Sequence, residues 1–272
     1  MSKKLSESNA MIVGLAKNCA DGLIKTLPRL DAFKNTFKHV EYRVMINDSS
    51  DSTEGVLDKW AEGRKEIRIL KQNGLDLNVP IRTARLAVCR NMCLDEYRNF
   101  NKYRKVDYYI ILDLDGLNAN LIDDPEFSKI IEAAPENWGA LFANQRGTYY
   151  DIWALRHPTW CPTDCFVEIR QYRRNPLNWL KNGGKKKTRQ IAYQKYLWDR
   201  QRPISPEADI IQVNSAFGGF GIYNTKYLEN AFYLGLTKNG KQVCEHVHFN
   251  ECVKNNGSSL YVNPKLLNES HQ

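Results

Sequence analysis

Short apolar runs alternate with amphipathic stretches through the first half of the chain. Residues 10–16 (AMIVGLA) are continuously apolar and stop at Lys17-Asn18, the pattern of a buried strand feeding a loop. Residues 21–37 place Leu23, Ile24, Leu27, Leu30, Phe33 and Phe37 at helical spacing, and Pro28 predicts a kink or break there. A second strand over 42–46 ends in Asn47-Asp48-Ser49-Ser50-Asp51-Ser52-Thr53, a dense cluster of turn formers. Ser52 or Thr53 would cap the helix that follows. A third strand is expected at 67–70 and a helix over 82–97. The run Tyr108–Leu112 (YYIIL) is apolar throughout and reads as a central strand covered on both faces. A helix over 127–134 and a strand over 139–143 complete the alternation. That order implies an α/β fold with a mostly parallel central sheet flanked by helices.

Beyond residue 145 the pattern loosens. The basic stretch 181–189 (KNGGKKKTR) reads as a mobile surface loop. The Gly-rich run 217–223 (FGGFGIY) reads either as a plain hairpin or as a place where backbone approaches a ligand closely, at Gly218 and Gly219. A last strand at 260–262 is expected to stop at Asn263-Pro264.

Composition narrows the class. A chain of 272 residues makes one large domain or two small ones sharing a face. No apolar run reaches the ~18 residues of a membrane helix, and the first ten residues (MSKKLSESNA) lack a secretory pattern. The excess of 39 basic over 31 acidic residues leaves nucleic acid, phosphorylated ligands and anionic membranes open as partners. Seven cysteines, an odd number, argue for reduced thiols. Cys89/Cys93 and Cys161/Cys165 have C-x3-C spacing, but zinc demands four convergent groups, and on a helix the first pair are simply neighbours.

The chemistry centres on Asp113-Leu114-Asp115, which ends the most apolar strand. Side chains at i and i+2 of a strand point the same way, so two carboxylates face the crevice where open α/β sheets bind ligands. Such a pair suits a hard divalent cation, which in turn holds a diphosphate. Asp48, at the end of the second strand, could accept from a base or ribose; turn and cap chemistry alone accounts for its neighbours equally well. Arg82, Arg85 and Arg90 fall on one helical stretch, and Arg90 is a candidate bidentate phosphate contact.

Taken together, the Asn47–Thr53 turn, the helix with Arg82, Leu86, Ala87, Arg90 and Asn91, the Asp113/Asp115 pair and the segment with Tyr150, Asp151, Trp153 and Arg156 resemble the GT-A-type glycosyltransferases. The 217–223 run and Cys244-Glu245-His246-Val247-His248-Phe249 follow in the same order. The nearest likeness is to the branch around the fungal capsule-associated mannosyltransferases, over roughly residues 10–265, with 157–212 unmatched. The resemblance implies one GT-A domain over 1–272, with a nucleotide-sugar half at 10–145 and an acceptor half at 146–265. It implies a UDP- or GDP-sugar donor, a glycan or other hydroxyl acceptor, and Mn²⁺ or Mg²⁺ held by Asp113 and Asp115, with His248 as a further ligand. Ala16, Lys17, Asn18, Asp48, Arg90, Asp113, Gly218 and Gly219 would contact the donor, and Asp151, beside the sugar, would be a catalytic residue together with Glu245. Glu245 is the implied base, although the family's usual Glu-Asp is here Glu245-His246, so His246 is a second candidate.

Two other classes compete. A nucleic-acid-binding protein rests on the positive charge and the KKKTR run, but no zinc-finger or RNP-type motif accompanies them. A nucleotidyltransferase would carry a Gly-rich basic signature after the first strand, where this chain has Lys17-Asn18-Cys19-Ala20-Asp21-Gly22. The expectation is therefore a glycosyltransferase without nucleic acid as partner. Asn47-Asp48-Ser49 is a glycosylation sequon inside the proposed donor site, which favours a cytoplasmic enzyme of bacterial or viral source. The 181–189 stretch could meet an anionic membrane peripherally.

Overall fold

A computed structural model describes residues 4–122 and 124–269. Strands β1 (Asn9–Ala16), β2 (His39–Ile46) and β3 (Ile67–Lys71) alternate with helices α1 (Ala20–Phe33), α2 (Thr53–Ala61) and the short α3 (Leu75–Asn78). Helix α4 (Arg82–Asn101) leads to β4 (Tyr108–Leu112), then α5 (Ala119–Ile122), α6 (Phe127–Glu132) and β5 (Trp138–Gln145). Three helices follow, α7 (Cys165–Arg174), α8 (Pro176–Asn182) and α9 (Lys185–Tyr196). The chain closes with β6 (Ile211–Val213), β7 (Phe220–Asn224), α10 (Glu245–Asn255) and β8 (Ser259–Asn268).

All eight strands form one sheet in the order β3-β2-β1-β4-β7-β5-β8-β6. Pairs β3/β2, β2/β1, β1/β4 and β5/β8 are parallel, while β7 runs antiparallel to both its neighbours and β6 to β8. The sheet is thus α/β and mostly parallel, and it draws strands from both sides of residue 145. Strand β4 is buried at every residue, and its side chains alternate between two cores. Tyr108, Ile110 and Leu112 pack with Leu23, Leu27 and Phe33 of α1, whereas Tyr109 and Ile111 pack with Leu94 and Tyr97 of α4 and Phe249 of α10. An apolar strand is the consequence of helices on both faces.

Several local expectations are corrected. Helix α1 continues through Pro28, which lies on its exposed side, where water can reach the carbonyl freed by the missing N–H. Helix α2 is not capped by the side chain of Ser52 or Thr53; Asp51 Oδ1 accepts from the Thr53 amide at 3.0 Å instead. The basic 181–189 stretch is not a loop but the junction of α8 and α9, turned at Gly183 and Gly184, both with positive φ. Strand β8 does not stop at Pro264. Its register slips, so that Phe142 pairs with Val262 but Asn144 with Leu267, and Asn144 Nδ2 donates to the Pro264 carbonyl at 3.1 Å within the irregularity.

Candidate active site

Strands β1, β2 and β4 end on one edge, and their carboxyl-terminal loops open on a cleft of about 630 Å³. The strand–helix alternation brings this about, because parallel strands place every following loop on the same edge. Ala16, Lys17 and Asn18 line it from the end of β1, Asn47 from the end of β2, and Asp113 and Asp115 from the end of β4. Arg82, Arg85 and Arg90 reach it from α4, Tyr150, Asp151 and Trp153 from the loop after β5, and Glu245 and His246 from the start of α10.

The β1 and β2 loops are stitched together. Asn18, left-handed at φ 49°, accepts from the Ser50 amide at 2.8 Å, and the Cys19 and Ala20 amides donate to Thr53 Oγ1 at 2.9 Å and Asp51 Oδ2 at 3.2 Å. Asp48 turns away from the cleft. Its carboxylate accepts from the amides of Gly74 at 2.6 Å and Asp76 at 2.9 Å, and these two bonds hold it below the usual carboxylate range. Lys17 pairs with Asp76, which also takes Arg85 at 3.0 Å.

The Asp113–Asp115 segment rests on two glycines that sequence reasoning passed over. A Cβ on Gly22 would lie 2.5 Å from Asp115 backbone, and one on Gly14 would lie 2.6 Å from the Leu114 side chain. Leu114 is buried between the two acids, which leaves Asp113 and Asp115 on the cleft side. Asp113 is partly exposed to the cleft but otherwise enclosed; burial pushes its pKa up to about 7, with Arg90 opposing and Asp115, Asp151 and Glu245 adding to the rise.

Behind Asp113 stands a buried amide network. Asn118 Nδ2 donates to the carbonyls of Asp113 and Gly219, each at 2.9 Å. Asn268 Nδ2 donates to Asn118 Oδ1 at 3.0 Å and to the Gly218 carbonyl at 2.7 Å, which Gln145 also reaches at 3.0 Å. Gly218 and Gly219 have φ of 63° and 84°, and a Cβ on Gly219 would stand 3.5 Å from Asp113 Oδ2. Their Cβ-free backbone braces Asp113 from behind; of this turn it is Phe217 that lines the cleft. Asp151 holds the same turn, with Oδ2 accepting from the Gly218 amide at 3.0 Å and Oδ1 from Ala154 at 3.3 Å. Burial raises its pKa, with those amides opposing.

Across the cleft, Arg90 Nε donates to Glu245 Oε1 at 3.2 Å, both side chains being buried. The guanidinium lies 5.2 Å from the centre of the Phe217 ring. Its burial works against the charge, but Glu245 and Asp113 outweigh that and keep it protonated. Glu245 opens α10, where the helix dipole favours a negative charge. His246 stacks on Phe217 with centroids 3.8 Å apart, and neither ring nitrogen has a hydrogen-bond partner among the described residues. Burial, reinforced by Arg90, drives its pKa well below the ordinary histidine value, so the ring is neutral. The structure does not bring His248 to the cleft. That ring meets Phe232 at 4.5 Å and lies 3.6 Å from Cys252 Sγ.

Among the described residues no three His, Cys, Asp or Glu side chains cluster as a metal cage. Asp113 and Asp115 nevertheless suit Mn²⁺ or Mg²⁺, because such ions are held by one or two carboxylates together with substrate phosphates. A carboxyl raised by burial and by its acidic neighbours is one that a nearby dication would return to its charged form. Cys89 and Cys93 are successive-turn neighbours on α4, and burial pushes their thiols up to about 11 and about 12.

No family model matches the sequence, and no curated protein sequence does either. Among solved structures, the chain is similar to the mannosyltransferase PcManGT from Pyrobaculum calidifontis in complex with GDP-Man and Mn²⁺, with a TM-score of 0.51 and 12% identity over 97% of this chain. It is also similar to TarS 1–349 of S. aureus, with a TM-score of 0.47 and 12% identity over 93% of this chain. The chain spans 57% of the length of each. The Pyrobaculum likeness establishes the fold, which is of the GT-A type. Among the described residues no helix is long and apolar enough to cross a membrane.

Proposed function

We propose that the chain is a metal-dependent glycosyltransferase that moves a sugar from a nucleotide diphosphate to a hydroxyl acceptor. The observation that carries this reading is the meeting of Asp113 and Asp115 with the buried Arg90–Glu245 pair in one cleft at the carboxyl edge of a GT-A sheet. The N-terminal half would hold the donor, its nucleoside along Ala16–Asn18 and Asn47. Mn²⁺ or Mg²⁺, when bound at Asp113 and Asp115, would neutralise charge on the departing diphosphate. Arg82 lines the same cleft and is exposed to meet phosphate oxygens.

Glu245 would accept the acceptor's hydroxyl proton; the bond from Arg90 to its Oε1, which fixes the carboxylate at the cleft wall, supports that role. As that oxygen attacks, the bond from the anomeric carbon to the diphosphate breaks. Arg90 positions the base and faces the developing negative charge. Asp151, with both oxygens on backbone amides, supports the Gly218–Gly219 turn rather than taking a proton. Tyr150 and Trp153 offer ring faces to the sugars. The capsule-associated branch and the GDP-mannose complex of the Pyrobaculum enzyme put GDP-mannose first among donors to test. A panel of UDP- and GDP-sugars with Mn²⁺ decides the matter. Turnover or hydrolysis of one donor, lost in Asp115→Ala, supports the reading, and failure of every donor to bind or react refutes it.

A further inference from the structure

A second cleft, of about 700 Å³, opens beside the first, and Trp153 borders both. The indole is a fixed partition, because its Nε1 donates to Asp164 at 3.0 Å and its ring meets Phe166 in a T-shaped contact at 5.2 Å. The two clefts also adjoin at the start of α4, where Ile81 faces the second and Arg82 the first. A volume of this size is ordinary for a ligand site.

The second cleft has a single sign of charge. Arg170, Arg173 and Arg174 enter it from α7, and Lys241 from the 237–241 turn, where the Thr237 amide donates to the Lys241 carbonyl at 2.8 Å. Among the described residues no carboxylate lines it, and none of these four cations has an ion-pair partner. Glu168 of α7 and its capping Asp164 pair elsewhere, with Arg200 and Arg156. Arg170 and Arg174 are one helical turn apart, a spacing at which like charges repel. The helix dipole favours cations only in the last turn, so it accounts for neither Arg170 nor Lys241. An unpaired, self-repelling cluster in a concave site beside an active-site cleft calls for an anion.

We propose that this cleft holds the phosphate of a phosphate-bearing glycan acceptor. Arg170, Arg173 and Lys241 bind the phosphate while the sugar rings pack along Trp153 toward Glu245. Planar guanidinium forks match phosphate oxygens, and several cations around one cleft suit a dianion better than a carboxylate. The inference rests on the glycosyltransferase reading above and names its acceptor class.

The test occupies the first cleft with saturating GDP or UDP and Mn²⁺, then titrates mannose 6-phosphate and mannose by calorimetry. Mannose 6-phosphate is expected to bind at least about tenfold more tightly, as a hydrogen bond to a charged group contributes. The Arg170→Gln/Lys241→Gln double variant is expected to lose that preference while binding nucleotide as the wild type does, which shows that it is folded. No preference in the wild type, or an unchanged preference in the variant, overturns the proposal alone. A chain that binds neither nucleotide overturns the functional reading and this inference with it. Co-sedimentation with phosphatidylglycerol vesicles without binding of mannose 6-phosphate would assign the cations to a membrane surface and likewise overturn it.

Discussion

The two clefts that meet at Trp153 use charge differently. The first mixes both signs, with Asp113, Asp115, Asp151 and Glu245 among Lys17, Arg82, Arg85 and Arg90. Much of that charge is enclosed and engaged, as in the Arg90–Glu245 pair and in Asp151 on its two amides. Among the described residues the only charged side chains lining the second are cations, and Arg173, Arg174 and Lys241 are exposed. A mixed site suits a metal and a diphosphate together, since one needs carboxylates and the other needs cations. A site of one sign suits an anion alone. The net charge of +8 therefore does not describe the first cleft, whose lining holds as many acids as bases.

The largest effect that would break this contrast is at Asp113 and Asp115, the pair proposed to hold the metal. Asp115→Ala should lower transfer by on the order of a thousandfold, since metal stabilisation of a leaving group is worth several kcal/mol. Steady-state rates with the active donor measure it, and a loss under tenfold would take the acids out of the chemistry. Next is Glu245→Gln, which keeps a partner for Arg90 but cannot accept a proton. It should cost about a hundredfold or more in kcat while nucleotide affinity holds. Parallel losses of affinity and kcat would recast Glu245 as purely structural.

These two sites differ in how far the sequence reveals them. Asp113 and Asp115 follow an apolar run directly, and the turn residues after β2 are contiguous, so local pattern exposes both. The Arg90–Glu245 bond joins residues 155 positions apart, and no periodicity connects them. The amide network of Asn118, Gln145 and Asn268 is equally hidden, because asparagine at a strand end ordinarily signals a turn and not a brace. Sheet order and the helices α7–α9 were also out of reach. A run such as KNGGKKKTR carries loop composition, and its helical state depends on the packing of Thr188 and Ala192 beneath it. Gly14 and Gly22 were legible only as unexplained glycines, and their reason is the close approach of the Asp113–Asp115 segment.

Gly22→Ala sharpens that last point. With Asp115 backbone 2.5 Å from the new Cβ, overpacking should destabilise the fold by about 1–3 kcal/mol and displace Asp115. Denaturant midpoints and Mn²⁺ affinity should fall together; an unchanged Mn²⁺ affinity would separate the glycine from the site. The smallest expected effect is at His246. Its folded pKa lies below the unfolded value, so the unfolded chain binds more protons as pH drops below about 6.5, and stability falls on acidification. His246→Phe keeps the stack on Phe217 and removes this proton linkage. Between pH 7 and pH 5.5, the wild type should lose on the order of 1 kcal/mol per pH unit more than the variant. Equal losses would mean that the ring titrates normally.

The central claim is that the acids of the first cleft bind a nucleotide diphosphate through a divalent ion. Calorimetric titration of GDP and UDP, with Mn²⁺ and with EDTA, into the wild type and Asp113→Asn tests it most directly. The account predicts that one nucleotide binds the wild type with Mn²⁺, and that chelation or the substitution abolishes binding. Binding that survives both, or no binding of either nucleotide under any condition, would contradict it.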